Sequence, residues 1–298
     1  MPGRRARVLE AETGVSELDQ IQLNFDSGSL LILNVVLAAL KFAVALELRP
    51  RDFGNLVRAP RAAAVGLACQ FLLLPAATFV LIQLTSPSPS VALGMMLVAA
   101  CPGGNISNVI CYLAGGNTAL SVGMTAVSSS AATVLTPLNF GLWASLDSST
   151  RGLLSEVSIQ PTAVLGTVFM VLGLPLAVGM FVGSRYPELV TKIRKPMKSL
   201  AGLIFLTFLI GALIKNAEHL DASLLPVLAL VVTHNGIALG IGYGVARAAG
   251  LEAADRRTVC IEVGIQNSTL ALAVIFSVFE GLGGMAIIAA LWGMWHMV

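Results

Sequence analysis

The sequence predicts an all-α polytopic membrane protein of about nine transmembrane helices, built as an inverted repeat with two broken helices. Three observations predict it. Hydrophobic residues make up 56% of the 298 positions and charged residues only 11%, where a soluble domain carries about 25% charged residues; mean hydropathy is +0.85. The apolar residues fall into nine segments, 28–48, 59–84, 91–115, 117–146, 158–183, 199–214, 222–246, 258–279 and 283–298. Most are long enough to cross a hydrocarbon core of about 30 Å at 1.5 Å rise per residue. Finally, the third and eighth segments are interrupted by polar and helix-breaking residues.

Residues 1–27 come first. They are polar, with Arg4, Arg5 and Arg7 followed by Glu10, Glu12, Glu17 and Asp19. No apolar run follows the arginines, so a mobile tail is expected rather than a signal peptide. The four cysteines (Cys69, Cys101, Cys111, Cys260) sit in apolar stretches without a CxxC pair and read as small buried side chains. A net charge of +2 gives no electrostatic case for nucleic acid.

Orientation follows from Lys and Arg. Most of the 18 basic residues lie in the connections after segments 1, 5 and 7: Arg49, Arg51, Arg58 and Arg61; Arg185, Lys192, Arg194, Lys195 and Lys198; Arg247, Arg256 and Arg257. Connections after segments 2, 4, 6 and 8 hold only Arg151 and Lys215. The positive-inside rule puts the odd connections in the cytoplasm, the N-terminus outside and the C-terminus inside.

Segment 3 carries Cys101-Pro102-Gly103-Gly104-Asn105-Ile106-Ser107-Asn108 near its centre. Proline removes a donor and two glycines follow, so two half-helices joined by unwound backbone are expected. Segment 8 carries Glu262-Val263-Gly264-Ile265-Gln266-Asn267-Ser268-Thr269. Five segments apart, the two cross the bilayer in opposite senses, as an inverted repeat requires; segments 1–4 would pair with 6–9. Broken helices in corresponding positions point to a transport site. Half-helix N-termini attract an anion, and freed carbonyls and side-chain oxygens replace water around a hard cation. Of the 16 acids, Glu262 is the one set among polar residues inside an apolar segment. A membrane carboxylate is costly without a partner, and a cation is the natural one; an interfacial carboxylate about one turn past the start of segment 8 is the other reading.

On these residues the chain resembles the bile acid:sodium symporter family, from about residue 28 onward. The marks are Leu48-Arg49-Pro50-Arg51-Asp52-Phe53, CPGGNISN in segment 3 and EVGIQN in segment 8. The resemblance implies a nine-span form with a core domain (58–147 and 222–298) around two crossing broken helices, facing a panel domain (28–57 and 158–215). It implies two sodium ions. One site would use Ser107, Asn108, Ser121, Thr125 and Glu262. The other would use Gln70, Glu262, Gln266 and the carbonyls of Val263 and Ile265. Asn105 and Asn267 would flank the substrate cavity, with His296 near the crevice and Lys41 in the panel domain to attract an anion.

Blander readings stand beside these. Ser121 and Thr125 share a helix face at i, i+4 and could simply pack or bond back along the helix. Gln70 could make one interhelical hydrogen bond, and Lys41 could snorkel to the interface. His234-Asn235 could line a cavity, with a satisfied interhelical histidine as the blander reading, and Ser128, Ser129 and Ser130 read as packing. The function expected is sodium-coupled symport of an organic anion (a bile acid or smaller carboxylate) by alternating access in a lipid bilayer. A proton-coupled or uncoupled carrier of the same fold is the nearer rival, a membrane-embedded sensor or enzyme the farther one. Against an enzyme, the sequence has no HExxH, no Asp pair and no GxSxG.

Overall fold

The computed structural model describes residues 58–104, 106–156, 173–215, 224–279 and 281–296, with residue 169 and scattered positions between 35 and 56. Every regular element among them is helical. In chain order they are α1 (Pro60–Thr85), α2 (Pro89–Ala100), α3 (Ile106–Leu113), α4 (Thr118–Leu146), α5 (Ser148–Glu156), α6 (Leu174–Arg185), α7 (Pro187–Lys215), α8 (Leu224–Ala248), α9 (Ala253–Gly264), α10 (Ser268–Val278) and α11 (Gly283–Trp295). Among the described residues, three helices are long and apolar enough to cross a membrane, at Pro60–Thr85, Thr118–Leu146 and Leu225–Ala248.

The interior is mostly apolar, but it also encloses polar side chains, and many large apolar ones face outward. Gln70, Thr78, Ser107, Ser121, Thr125, His234, Glu262 and Gln266 are buried, while Leu72, Leu84, Leu138, Leu142, Phe181 and Leu225 are exposed. Apolar side chains on the surface suit lipid as the solvent, and the polar groups inside have to find their partners within the protein. Lipid offers no hydrophobic drive between helices, so close packing of small residues has to supply it. At Gly94, a Cβ would sit 2.8 Å from the Met285 backbone, so α2 and α11 touch there because glycine leaves room. α2 is buried from Ser90 to Ala100, walled in by α1, α4, α10 and α11.

Both expected interruptions are present. α2 ends at Ala100 and α3 begins at Ile106; α9 ends at Gly264 and α10 begins at Ser268. The unwound stretches meet. Gly104 N–H donates to the Ile265 carbonyl (2.8 Å) and Asn267 N–H to the Pro102 carbonyl (2.9 Å), with Gly103 and Gln266 paired antiparallel. Each stretch thereby satisfies backbone groups that lipid cannot.

Some boundaries move. The connection read at 184–198 is helical: α7 starts at Pro187 and runs 29 residues through its basic stretch, with Pro196 inside. The boundary had followed hydropathy, but Lys and Arg are good helix formers and proline suits a first turn. α5 adds a helix in what had read as the fourth connection. α9 starts at Ala253, five residues before segment 8, so Glu262 lies deep in it and is fully buried. That burial favours the interior, partnered reading of the carboxylate over the interfacial one. Gly179 and Gly183 of α6 lie against Phe42, Ala45 and Leu46.

Two connections expected on one membrane face come together. Asn117 N–H donates to Thr258 Oγ1 (2.8 Å), Asn117 Nδ2 to Asp255 Oδ1 (2.8 Å) and Arg257 to the Gly115 carbonyl (3.2 Å). These bonds fasten the α3–α4 turn to the first turns of α9.

Candidate functional site at the helix crossover

α1 does not run evenly. Over Cys69–Leu73 it widens into a π turn, in which Leu74 N–H reaches back five residues to Cys69. Pro75, which has no N–H to give, follows at once. Such turns accompany functional sites, and this one holds Gln70, fully buried. Neither Gln70 Oε1 nor Nε2 has a hydrogen-bond partner, and Gln266 Oε1 has none either. Gln266 Nε2 donates to the Val263 carbonyl (2.7 Å), which fixes the amide and leaves its oxygen bare. A Cβ on Gly103 would meet Glu262 Oε2 at 2.8 Å and Gln70 Nε2 at 3.5 Å, so the three groups border one small space. Buried orphan amides are costly and call for a partner, a water or an ion.

On the other side of Glu262 the oxygens crowd. Oε1 accepts from Ser107 Oγ (2.6 Å) and Ser121 Oγ (2.5 Å), and Oε2 accepts from Thr125 Oγ1 (2.9 Å). Ser121 and Thr125 also lie 2.8 and 3.3 Å from Asn108 Oδ1. These are five oxygen–oxygen contacts among three hydroxyls, a carboxylate and an amide oxygen. Each hydroxyl has one hydrogen to give, so three hydrogens serve five contacts. A proton on Glu262 would add one more and still leave a contact unserved. A cation placed among the oxygens would relieve all of them. Rotating the Asn108 amide by half a turn would also supply hydrogens, so a bound cation and amide orientation are alternatives for the same cage. Every donor is oxygen, which suits a hard cation. Among the described residues no cluster of His, Cys, Asp or Glu fits a transition metal.

Residues 34–222 match the sequence pattern of the Sodium Bile acid symporter family. The chain belongs to that family. Over 267 residues it is 30% identical to the uncharacterized sodium-dependent transporter YocS of Bacillus subtilis (strain 168), covering 89% of this chain and 79% of that one. Over 220 residues it is 32% identical to the probable sodium/metabolite cotransporter BASS1, chloroplastic, of Oryza sativa subsp. japonica (74% and 52%). It is 28% identical over 246 residues to the ileal sodium/bile acid cotransporter of Homo sapiens (82% and 68%). The symporter family is one of sodium-dependent membrane transporters and not of enzymes.

Set against this family membership, the geometry sorts the expected residues. Ser107, Asn108, Ser121, Thr125 and Glu262 converge on one point. Gln70, Glu262 and the 263–266 stretch border Gly103 and Gly104. The Val263 and Ile265 carbonyls each already accept one hydrogen bond, from Gln266 Nε2 and Gly104 N–H, and each keeps a second lone pair. Asn267 caps α10, its Oδ1 accepting from Leu270 N–H (3.0 Å), so its amide NH2 is the end left for a ligand. His296 ends α11, outside the oxygen cage, with a buried Nδ1 that has no partner. Asn105 and Lys41 lie outside the described residues. Ser128 and Ser130 bond back to the Thr125 and Ala126 carbonyls, as packing residues do.

Two participants, Thr258 and Asn117, escaped the sequence reading, and the partner of Asn235 was not legible in it. Asn235 donates to the Gly264 carbonyl (2.6 Å) at the end of α9. Thr258 gathers Asn117 and Cys111. Asn117 caps α4 through Leu120 N–H. Long-range partners of this kind leave no local pattern; only the HN dipeptide inside an apolar helix offered a signal.

Proposed function

We propose that the chain is a sodium-coupled symporter of an organic anion, and that two sodium ions bind at the crossover. The convergence of Ser107, Ser121 and Thr125 on the buried Glu262 carboxylate, beside the unpartnered amide oxygens of Gln70 and Gln266, carries this reading. Ser107, Asn108, Ser121, Thr125 and Glu262 would hold one ion. Gln70, Gln266, Glu262 and the free lone pairs of the Val263 and Ile265 carbonyls would hold the other. Glu262 is shared, so one carboxylate balances two cations, and the site carries net positive charge when filled.

That charge draws an anion. The ends of α3 and α10 next to the crossover are half-helix N-termini, whose free N–H groups and positive dipole ends favour a carboxylate or sulfate. Asn105, Asn267, His296 and Lys41 are the proposed anion contacts. Sodium draws together α1, α3, α4 and α9, which makes the anion surface, so sodium and anion strengthen one another's binding reciprocally. The core (58–147 and 222–298) then moves against the panel (28–57 and 158–215) to expose the site to one face and then the other. The nine-span inverted repeat, with the N-terminus outside and the C-terminus in the cytoplasm, belongs to this proposal. Two sodium ions with one monovalent anion move one net charge, worth about 2.3 kcal/mol per 100 mV.

A thermal-shift screen of organic anions on the purified chain, in sodium chloride and in choline chloride, tests this. The expected result is a carboxylate or sulfate that raises the melting temperature only in sodium. An anion that stabilises equally in choline, and whose effect follows pH instead, would replace sodium coupling by proton coupling through Glu262.

A further inference from the structure

We propose that His234 and Asn235, neighbours on α8, form a strap that sets the distance between the two halves of the second sodium site. This rests on the sodium reading above and assigns a positioning role to residues that touch no ion. The two halves come from separate helices: Gln70 from the π turn of α1, and residues 262–266 from the end of α9. No hydrogen bond joins them directly, because both amide atoms of Gln70 are without a partner. Something else has to hold the gap at the width an ion needs.

α8 touches both halves. Asn235, almost completely buried, donates its Nδ2 to the Gly264 carbonyl at 2.6 Å. Gly264 is the last residue of α9, and its carbonyl lies between those of Val263 and Ile265. Occupying it fixes the orientation of that peptide, and so the aim of its two neighbours. The approach is close: a Cβ on Gly264 would collide with the Leu239 side chain, one turn further along α8. His234 reaches the other way. Thr78 gives its hydroxyl hydrogen to the Leu74 carbonyl (2.8 Å), so its oxygen accepts from His234 Nε2–H (2.7 Å). That assignment makes Nε2 the protonated nitrogen of a neutral ring. Thr78 lies about two turns beyond Gln70 on the same helix. The ring is held edge-on against Trp292 of α11, with centroids 4.6 Å apart. Consecutive helix positions diverge by about 100°, which lets one dipeptide grip two neighbours at once.

The test uses sodium itself as the probe, on the purified full chain. Melting temperature is measured against sodium concentration, with choline keeping ionic strength constant. Asn235→Leu keeps the volume and removes the donor; Thr78→Val keeps the shape and removes the acceptor; Ser121→Ala perturbs the first site as a control. Losing one hydrogen bond to a site carbonyl corresponds to about a tenfold change at most. Asn235→Leu is expected to raise the half-stabilising sodium concentration about tenfold, with the sodium-free melting temperature within 2 °C or so of wild type. Thr78→Val is expected to raise it about threefold. A wild-type sodium titration in Asn235→Leu, while Ser121→Ala is weakened, overturns the strap and leaves the sodium reading intact. Should Asn235→Leu fail to fold, a wild-type titration in Thr78→Val overturns it. Wild-type protein that shows no sodium response overturns both.

Discussion

Gly103 and Gln266 face one another as an antiparallel pair where two unwound stretches cross, and the missing side chain of Gly103 is what lets them do so. A Cβ there would meet Glu262 Oε2 at 2.8 Å and the Glu262 carbonyl at 3.3 Å. Glu262 lies within α9 and its carboxylate is held by Ser107, Ser121 and Thr125, so neither atom can withdraw without breaking those bonds or bending the helix. Gly103→Ala should therefore weaken sodium stabilisation by at least about tenfold and lower the sodium-free melting temperature by a few degrees. Sodium titration of the melting temperature checks both numbers in one experiment.

The hydroxyls around Glu262 should act as ligands rather than as packing. Thr125→Val preserves the shape of the side chain and removes only oxygen and hydrogen. Hydrogen bonds to charged groups are worth about 1.5–3 kcal/mol, and a cation losing one oxygen should lose a comparable amount. The variant is expected to bind sodium about ten- to a hundredfold more weakly while potassium and choline remain without effect. Calorimetric titration at fixed ionic strength measures this.

Gln70 offers the opposite trade. Its amide is buried with both atoms unpartnered, which costs about 1–3 kcal/mol in the absence of a ligand. Gln70→Leu removes that cost. The sodium-free protein should become more stable, and the stabilisation added by sodium should shrink. Paired thermal melts in sodium and choline give the result; a variant less stable in choline and equally responsive to sodium would mean that Gln70 only packs.

Asn117 should matter to stability and not to sodium. It caps α4 through Leu120 N–H and ties Asp255 and Thr258 of α9 to the α3–α4 turn. Asn117→Ala loses a cap worth about 1 kcal/mol together with the Asp255 bond. Chemical denaturation should show a loss of about 1–2 kcal/mol, with the sodium titration unchanged.

Asp147 supplies a pH test at the other end of α4, beyond the membrane-spanning residues. Burial alone raises its pKa, but hydrogen bonds from Ser149 Oγ (2.5 Å), Thr150 N–H (2.9 Å) and Gln83 Nε2 (2.8 Å) outweigh it and hold the carboxylate below its ordinary value. A folded-state value below the unfolded one stabilises above the unfolded pKa and is lost as pH falls through the folded one. Asp147→Asn should therefore destabilise at pH 7, and the difference from wild type should close as pH falls below the ordinary carboxylate range. Melting temperatures across that range decide it.

The two interruptions were legible because they break local rules: Pro-Gly-Gly and a Glu/Gln/Asn run have no ordinary place in an apolar helix. The convergence of Ser121 and Thr125 on Glu262 was not visible from spacing, since i, i+4 hydroxyls also suit packing; the resemblance named them, and the distances bring them together. The start of α7 was missed because hydropathy marks the membrane and says nothing of where a charged helix begins. Asn235 was legible as an interhelical or cavity-lining residue, but its partner was not, because the Gly264 carbonyl is a backbone atom on another helix. The π turn at Cys69–Leu73 was hidden for a similar reason: Pro75 announces a disturbance in α1, but not its form.

The most direct test is equilibrium binding of radioactive sodium to the purified chain, with choline as the balancing cation, for wild type and Glu262→Gln. Saturable binding of two ions per chain, lost when the carboxylate becomes an amide, is the predicted result. Saturable sodium binding that survives in Glu262→Gln, or none in wild type, would contradict the crossover as the ion site.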